Sequence, residues 1–235
     1  GALLARFENA MNGTRERNNL YSEEAQWVPQ HVLEDVMRRH TETLPGVMLR
    51  FDTEFVSLNQ STDGVITQVR NVRTGTVTEI ESTFLIGADG PRSAVRGAIG
   101  AKMAGEPATS KNYSIIFRAP DLAARQVHGP AIMYWMVNED VPSLLGPMDE
   151  NGLWFFMATK LPGNIDPASI DPADLIRRGT GIKDLDIEII GTDIWVANRL
   201  VADRYARDRV FLAGDACHLH PPFGDAEGEG HVKRD

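Results

Sequence analysis

One short segment near the end of the chain, VFLAGDACHLHPPFG, concentrates the residue types that carry out chemistry. It contains Asp215, Cys217, His218 and His220 in close succession. Three kinds of chemistry are open to such a set: a metal site, a thiol nucleophile assisted by histidine, or a loop shaped around a flat cofactor. The spacing of these residues and their surroundings separate the three interpretations.

The metal and thiol interpretations are the weaker two. Cys217 and His218 are adjacent, so their side chains point in different directions, and the paired spacings typical of metal ligands are missing. Cys217 is also the only cysteine, and it directly follows a buried-looking strand, where a free thiol is commonly a packing residue. We therefore predict a structural Cys217 and no metal site, and we identify no catalytic residue.

A second acidic turn occurs earlier, in FLIGADGPRSAVR at 84–96. Its run of apolar and small residues predicts a strand buried on both faces in a parallel sheet, and RVFLAGDA has the same pattern. Ligands usually bind at the carboxyl ends of such strands. A carboxylate there can accept hydrogen bonds from sugar hydroxyls, and a small neighbour lets backbone come close. Asp89 and Asp215 are therefore candidate ligand-binding residues.

The rest of the chain must position these turns. Apolar residues spaced by three and four predict an amphipathic helix from Pro29 to about Leu44. The segments VMLRFD, EFVSLNQ, VITQVRNV and TVTEI alternate apolar and polar residues, which predicts an antiparallel meander. We predict an α/β (α+β) fold with a partial Rossmann-like domain formed by 1–100 and 201–235, and an antiparallel-sheet domain formed by 101–200.

Composition excludes several classes of protein. The formal net charge of −9 argues against nucleic-acid and anionic-membrane binding, because the arginines are dispersed among acids. No apolar run is long enough to cross a bilayer. A single cysteine allows no intramolecular disulfide and favours a reducing cytoplasm.

The two acidic turns, in this order and separated by a sheet domain, closely resemble the Asp-Gly and Gly-Asp fingerprints of FAD-dependent aromatic-ring monooxygenases. This family is similar to para-hydroxybenzoate hydroxylase and the phenol-type hydroxylases, and the resemblance spans residues 25 to 224. It implies bound FAD, NAD(P)H as co-substrate, and hydroxylation of a small aromatic molecule with O2. It also implies that the Rossmann-like domain binds FAD and that the sheet domain binds substrate.

The resemblance also implies site residues. A glutamine ahead of a helix touches the flavin in the family, and the prolines after the second turn pack at its ring. Expected cofactor contacts are Gln30, Asp89, Gly90, Arg92, Gly214, Asp215, Pro222 and Gly224, with Ser93 and Arg96 suited to phosphates. Expected substrate-pocket residues are Phe117, Trp135, His220 and Pro221.

Two departures from the family shape the remaining expectations. The strand and Gly-x-Gly-x-x-Gly turn that open the family are absent ahead of Gln30, so we expect an internal piece of a longer enzyme or a form that has lost its amino end. After Gly224 the sequence reads DAEGEGHVKRD, which we interpret as a solvated tail. The alternative function is a truncated, non-catalytic remnant that binds a small apolar molecule or a protein partner. A homodimer is a further expectation.

Overall fold

A computed structural model describes residues 2–8, 27–107, 111–161, 166 and 169–220. The chain divides into two compact units. We call residues 1–47 with 110–195 the sheet unit, and residues 48–109 with 196–235 the turn unit. The chain therefore leaves the sheet unit at residue 47, returns to it at 110, and leaves it again at 195.

The described helices and strands are short apart from the first helix and the longest hairpin strands. The helices are α1 (Gln30–Glu42), α2 (Ala94–Ala98), α3 (Leu122–Arg125) and α4 (Pro172–Thr180), with a 3-10 turn at Gly214–Ala216. The strands are β1 (Thr53–Gln60), β2 (Val65–Asn71), β3 (Val77–Ser82), β4 (Leu85–Gly87), β5 (Met103–Glu106), β6 (Lys111–Arg118), β7 (Tyr134–Met136), β8 (Ser143–Pro147), β9 (Leu153–Leu161), β10 (Glu188–Val196), β11 (Arg199–Ala202), β12 (Ala206–Arg207), β13 (Val210–Leu212) and β14 (His218–Leu219). This mixture of helices and sheets confirms the predicted α/β (α+β) class.

The sheet unit is built on a five-stranded sheet in the order β10-β6-β9-β8-β7. Its core-facing side chains pack against α4, whose Ile176 is fully buried. Helix α4 starts at Pro172, because the Asp171 carboxylate accepts hydrogen bonds from the backbone N–H groups of Ala173 and Asp174. Pro172 occupies the first turn, where its missing N–H costs nothing.

The predicted helix after Pro29 is confirmed as α1. Its polar side carries an ion-pair chain in which Arg38 contacts Asp35 and Glu42 at 2.6 and 3.1 Å. These pairs are spaced by three and four residues, which places the charges one above the other on the helix.

The antiparallel meander is confirmed as the sheet β1-β2-β3, but its predicted first strand is wrong. The VMLRFD segment forms no regular strand. Asp52 adopts a positive φ of 51°, its carbonyl oxygen accepts from the Val72 N–H, and its carboxylate pairs with Arg73. A left-handed residue at this point ends the extended conformation before it can add to the sheet.

The turn unit contains the two strands that precede the acidic turns. Strands β4 and β13 pair in parallel, as the sequence predicts, and β12 pairs antiparallel with β13. The prediction that both faces are buried is wrong, because successive side chains alternate. Val210 is fully buried on one face, whereas Ile86 and Phe211 lie on the other and are 66% and 40% exposed.

Among the described residues, no helix is both long and apolar enough to cross a membrane.

Candidate functional site

The two acidic turns leave the same edge of one sheet. Leu212 of β13 lies beside Gly87 of β4, and the next backbone N–H, that of Ala213, donates to the Gly87 carbonyl at 2.9 Å. Because the strands run parallel, their carboxyl ends coincide. Asp89 and Asp215 therefore follow neighbouring strands at one edge, although 126 positions separate them in sequence.

Arg96 ties the two turns together. Its Nη2 donates to the Pro91 carbonyl oxygen at 2.8 Å, and its Nη1 donates to the Ala216 carbonyl oxygen at 3.0 Å. A planar guanidinium can make both bonds at once because its donors point in fixed, diverging directions. The sequence suggests Arg96 as a phosphate contact, and no local pattern indicates that it bridges the two turns.

Asp89 shapes the turn that leads into α2. Ser93 Oγ donates to its Oδ1 at 2.5 Å, and the Val95 N–H donates to its Oδ2 at 3.1 Å. Partial burial works against ionisation of this carboxyl, but the Ser93 and backbone hydrogen bonds outweigh burial and lower its pKa. Ser93 Oγ in turn accepts from the Arg96 N–H at 2.9 Å and caps the helix.

Asp215 is placed differently. It is exposed at the centre of the 3-10 turn Gly214–Ala216. Within the part of the chain that the structure describes, no donor reaches its carboxylate. Both oxygens can therefore accept hydrogen bonds from a ligand that carries hydroxyl groups, which fits the ribityl or ribose part of FAD.

Each acidic turn also contains a glycine whose backbone conformation disfavours other residues. Gly90 and Gly214 adopt positive φ values of 80° and 59°, which strain any residue with a Cβ. A Cβ built at either position would meet nothing within 4 Å. The backbone therefore needs glycine at both turns, and open space lies beside each one.

The Cys217 region is a packed turn. Cys217 is 3% exposed, its thiol donates to the Gly214 carbonyl oxygen at 3.2 Å, and its sulfur lies 3.4 Å from His218 Nδ1. The rings of His218 and His220 stack with their centroids 5.5 Å apart. Cys217 is therefore packed inside its own turn, and its structural role stays a prediction. The described residues place no three metal-ligating side chains together.

Two other predicted cofactor contacts are exposed, one at the start of a helix and one in the turn before a helix. Gln30 is the first residue of α1, in the sheet unit, and its Nε2 donates to Glu34 Oε1 at 2.6 Å. Arg92 precedes α2 and is exposed. Neither observation tests a contact with FAD, so both remain predictions. Three further predicted positions lie outside the described residues: Pro221, Pro222 and Gly224.

The two aromatic residues predicted for the substrate pocket occupy opposite environments. Phe117 has no exposed surface and packs in the core of the sheet unit, so its ring lines no open surface. Trp135 lies on the edge strand β7 and is 60% exposed. The sequence could not tell which of the two is buried, because both lie in short segments rich in large apolar side chains.

Comparisons with known proteins agree with this geometry. The model of a family described as "FAD binding domain" matches residues 4–229. Tetracenomycin B2 monooxygenase-dioxygenase from Streptomyces olivaceus is 35% identical over 215 residues, which cover 89% of this chain and 39% of that protein. The 2,4-dichlorophenol 6-monooxygenase of Delftia acidovorans is 31% identical over 205 residues, covering 83% of this chain and 34% of that protein.

A solved structure gives the same result. The flavin-dependent monooxygenase PieE, crystallised with FAD and substrate, superposes with a TM-score of 0.74 at 31% identity, over 83% of this chain and 34% of that one. The chain thus spans between a third and two fifths of these relatives' length. These matches confirm the resemblance drawn from the two acidic turns. The chain belongs to the FAD binding domain family of the FAD-dependent aromatic hydroxylases.

Proposed function

We propose that this protein acts as an FAD-dependent monooxygenase that hydroxylates a small aromatic molecule with NAD(P)H and O2. The observation that carries the proposal is the meeting of the Asp89 and Asp215 turns at one sheet edge, tied by Arg96. The relatives named as polyketide hydroxylase and phenol 2-monooxygenase support it. Their named functions support the enzyme and not the non-catalytic remnant.

The chain's own residues would bind and orient the cofactor. Asp215 would accept hydrogen bonds from cofactor hydroxyls, because its carboxylate is exposed and free of described donors. Asp89 would hold the backbone of its turn in place, since both of its oxygens already accept bonds from within the turn. FAD, when bound, supplies the electron transfer from NAD(P)H to oxygen.

The finer assignments are part of the same proposal. Cofactor binding is assigned to residues 1–100 with 201–235, and substrate binding to residues 101–200. Gln30, Arg92 and the prolines after His220 are proposed to contact the cofactor or the substrate. A homodimer and a cytoplasmic location complete the proposal.

The test is FAD binding by Asp215→Asn. Removing the charge weakens each hydrogen bond from a cofactor hydroxyl, and bonds to charged groups contribute about 1.5–3 kcal/mol. We expect the Kd for FAD, measured by flavin fluorescence, to rise by about tenfold or more.

Asp193→Asn is the matched control for this experiment. It removes an equal charge at an exposed position of β10 in the sheet unit, and it should leave the Kd for FAD unchanged. Equal FAD affinity in the parent chain and in both variants would contradict the role given to Asp215. A parent chain that takes up no FAD would contradict the proposed function itself.

A further inference from the structure

Glycine directly follows an asparagine or an aspartate at several positions of this chain. At such a position the backbone nitrogen of the glycine can attack the side-chain carbonyl carbon of the residue before it, because glycine has no Cβ to block the approach. Asparagine reacts in this way more readily than aspartate and is among the thermolabile residues of proteins. The positions are Asn12-Gly13, Asp63-Gly64, Asp89-Gly90 and Asn151-Gly152. All except the first lie within the described residues.

Asn151 is exposed in the loop that joins β8 to β9. The Met148 N–H donates to the Leu153 carbonyl oxygen at 2.8 Å and closes this loop. Asp149 Oδ1 accepts from the N–H groups of Asn151 and Leu153, each at 2.8 Å. The N–H of Gly152 lies between these two in sequence, and no hydrogen bond of the described residues uses it or the Asn151 side-chain amide. Both reacting groups are therefore free to meet.

The described Asp-Gly positions are protected by charge. Aspartate carboxylates are ionised at neutral pH, and an ionised carboxylate repels a nucleophile. Asp89 has a further protection, because Ser93 Oγ and the Val95 N–H donate to its two oxygens. These bonds outweigh partial burial and lower its pKa, so the carboxyl stays ionised. The Asn151 side chain is an uncharged amide and has no such protection.

We propose that Asn151 is a deamidation site, at which the Gly152 nitrogen displaces ammonia from the side-chain amide. Hydroxide from the solvent removes the Gly152 N–H proton, and a bond forms between that nitrogen and Asn151 Cγ. The bond from Cγ to the amide nitrogen breaks, and ammonia leaves with a proton from water. Water then opens the cyclic imide to an aspartate or an isoaspartate. No oxidant or reductant takes part, and the net charge of −9 gains one further negative charge.

The two products should affect the structure differently. Arg118 Nη1 donates to the Asn151 carbonyl oxygen at 3.2 Å, so an aspartate side chain would lie near a cation. An isoaspartate adds a methylene to the backbone ahead of Gly152. Gly152 has a positive φ, a Cβ there would lie 2.7 Å from Pro120 Cα, and its carbonyl oxygen accepts from the Ala119 N–H at 2.8 Å. The longer backbone should therefore displace Gly152 and loosen the end of β6.

The test incubates the purified chain in mildly alkaline buffer, because hydroxide removes the Gly152 proton. Fragment-ion mass spectrometry of proteolytic peptides measures the loss of the amide at residue 151, and labelling by isoaspartyl methyltransferase measures isoaspartate. We expect residue 151 to lose its amide at least about tenfold faster than Asp89 forms isoaspartate. The incubated chain should unfold at a lower urea concentration than the fresh chain.

Asn151→Gln keeps an amide but requires a larger ring, which closes more slowly. This variant should keep its amide at 151, and incubation should lower its urea midpoint less than that of the parent chain. Asn59→Gln is the matched control, because it makes the same replacement at an exposed position of β1 that Gln60 follows. It should lose the amide at 151 at the rate of the parent chain.

Asn12-Gly13, which lies outside the described residues, supplies an internal measure of the conditions. An amide at 151 that persists through the incubation would overturn the inference, and loss of the amide at 12 in the same sample would show that the conditions were sufficient. Isoaspartate formation at Asp89 as fast as amide loss at 151 would overturn it as well. An equal fall of the urea midpoint in the parent chain and in Asn151→Gln would contradict the displacement of Gly152.

Discussion

At the scale of single residues, the two aspartates of the acidic turns differ in their hydrogen-bond partners. The two carboxylate oxygens of Asp89 accept hydrogen bonds from Ser93 Oγ and the Val95 N–H, so Asp89 stabilises the conformation of its own turn. Asp215 has no such partners in the described chain and remains available to a ligand. The same residue type thus has a structural role in one turn and a binding role proposed in the other.

Arg96 holds the Asp89 turn against the Asp215 turn, so replacing it should affect both stability and FAD binding. In Arg96→Lys, a single ammonium replaces the guanidinium and cannot reproduce both bonds to the Pro91 and Ala216 carbonyls. We expect the free energy of unfolding, measured in urea, to fall by about 1–3 kcal/mol and FAD binding to weaken. Arg73→Lys is the control, because Arg73 lies in the same unit and 77% of its side chain is exposed. Equal effects of the two substitutions would contradict the bridging role.

At the scale of elements, the site depends on how closely α2 approaches β4. A Cβ at Gly87 would lie 2.7 Å from both Cβ and Cγ1 of Val95, a separation that forces one element to move. Val95 is buried and its N–H contacts Asp89, so displacement of α2 also displaces the acidic turn. The close approach of strand and helix therefore fixes the position of the Asp89 turn.

The contact between β4 and α2 can be tested by changing the side-chain volume at Gly87 and at Val95. Gly87→Ala should destabilise the chain by about 1–3 kcal/mol through overpacking. Adding Val95→Ala should recover part of that loss, and the recovery measures the contact directly. Gly97→Ala is the control within α2, because a Cβ there meets nothing within 4 Å and should be neutral or slightly stabilising. Additive effects of Gly87→Ala and Val95→Ala in urea denaturation would rule out the contact.

At the scale of the whole molecule, a net charge of −9 favours solubility, while α1 exposes a run of apolar side chains. Val32, Leu33, Val36 and Met37 are each between 45% and 59% exposed. Apolar side chains that recur along one side of a helix promote association in water. The net charge therefore opposes association of the chain in solution, and the apolar side of α1 favours it.

We expect the purified chain to self-associate through α1 and Leu33→Glu to reduce this association. Light scattering during size-exclusion chromatography measures the mass at increasing protein concentration. His31→Glu is the matched control, because it adds the same charge to an exposed position on the polar side of the helix. A parent chain that stays monomeric, or equal effects of the two variants, would show that this face plays no part.

Sequence alone was sufficient for features determined by neighbouring residues. The helix after Pro29, the meander and the parallel strand before each acidic turn follow from local spacing and local hydrogen bonding. The family also followed from the sequence, because its two fingerprints are contiguous and occur in a defined order.

Only the tertiary structure decided what depends on contacts between distant segments. Alternation along a strand shows that two faces exist, but it cannot show that Phe117 faces the core while Trp135 lies exposed. The sequence also could not distinguish a satisfied Asp89 from an available Asp215, or show that Arg96 joins their turns across 120 positions. The physical reason is that hydrogen bonds and burial depend on which segments meet in space, and separation along the chain does not encode that directly.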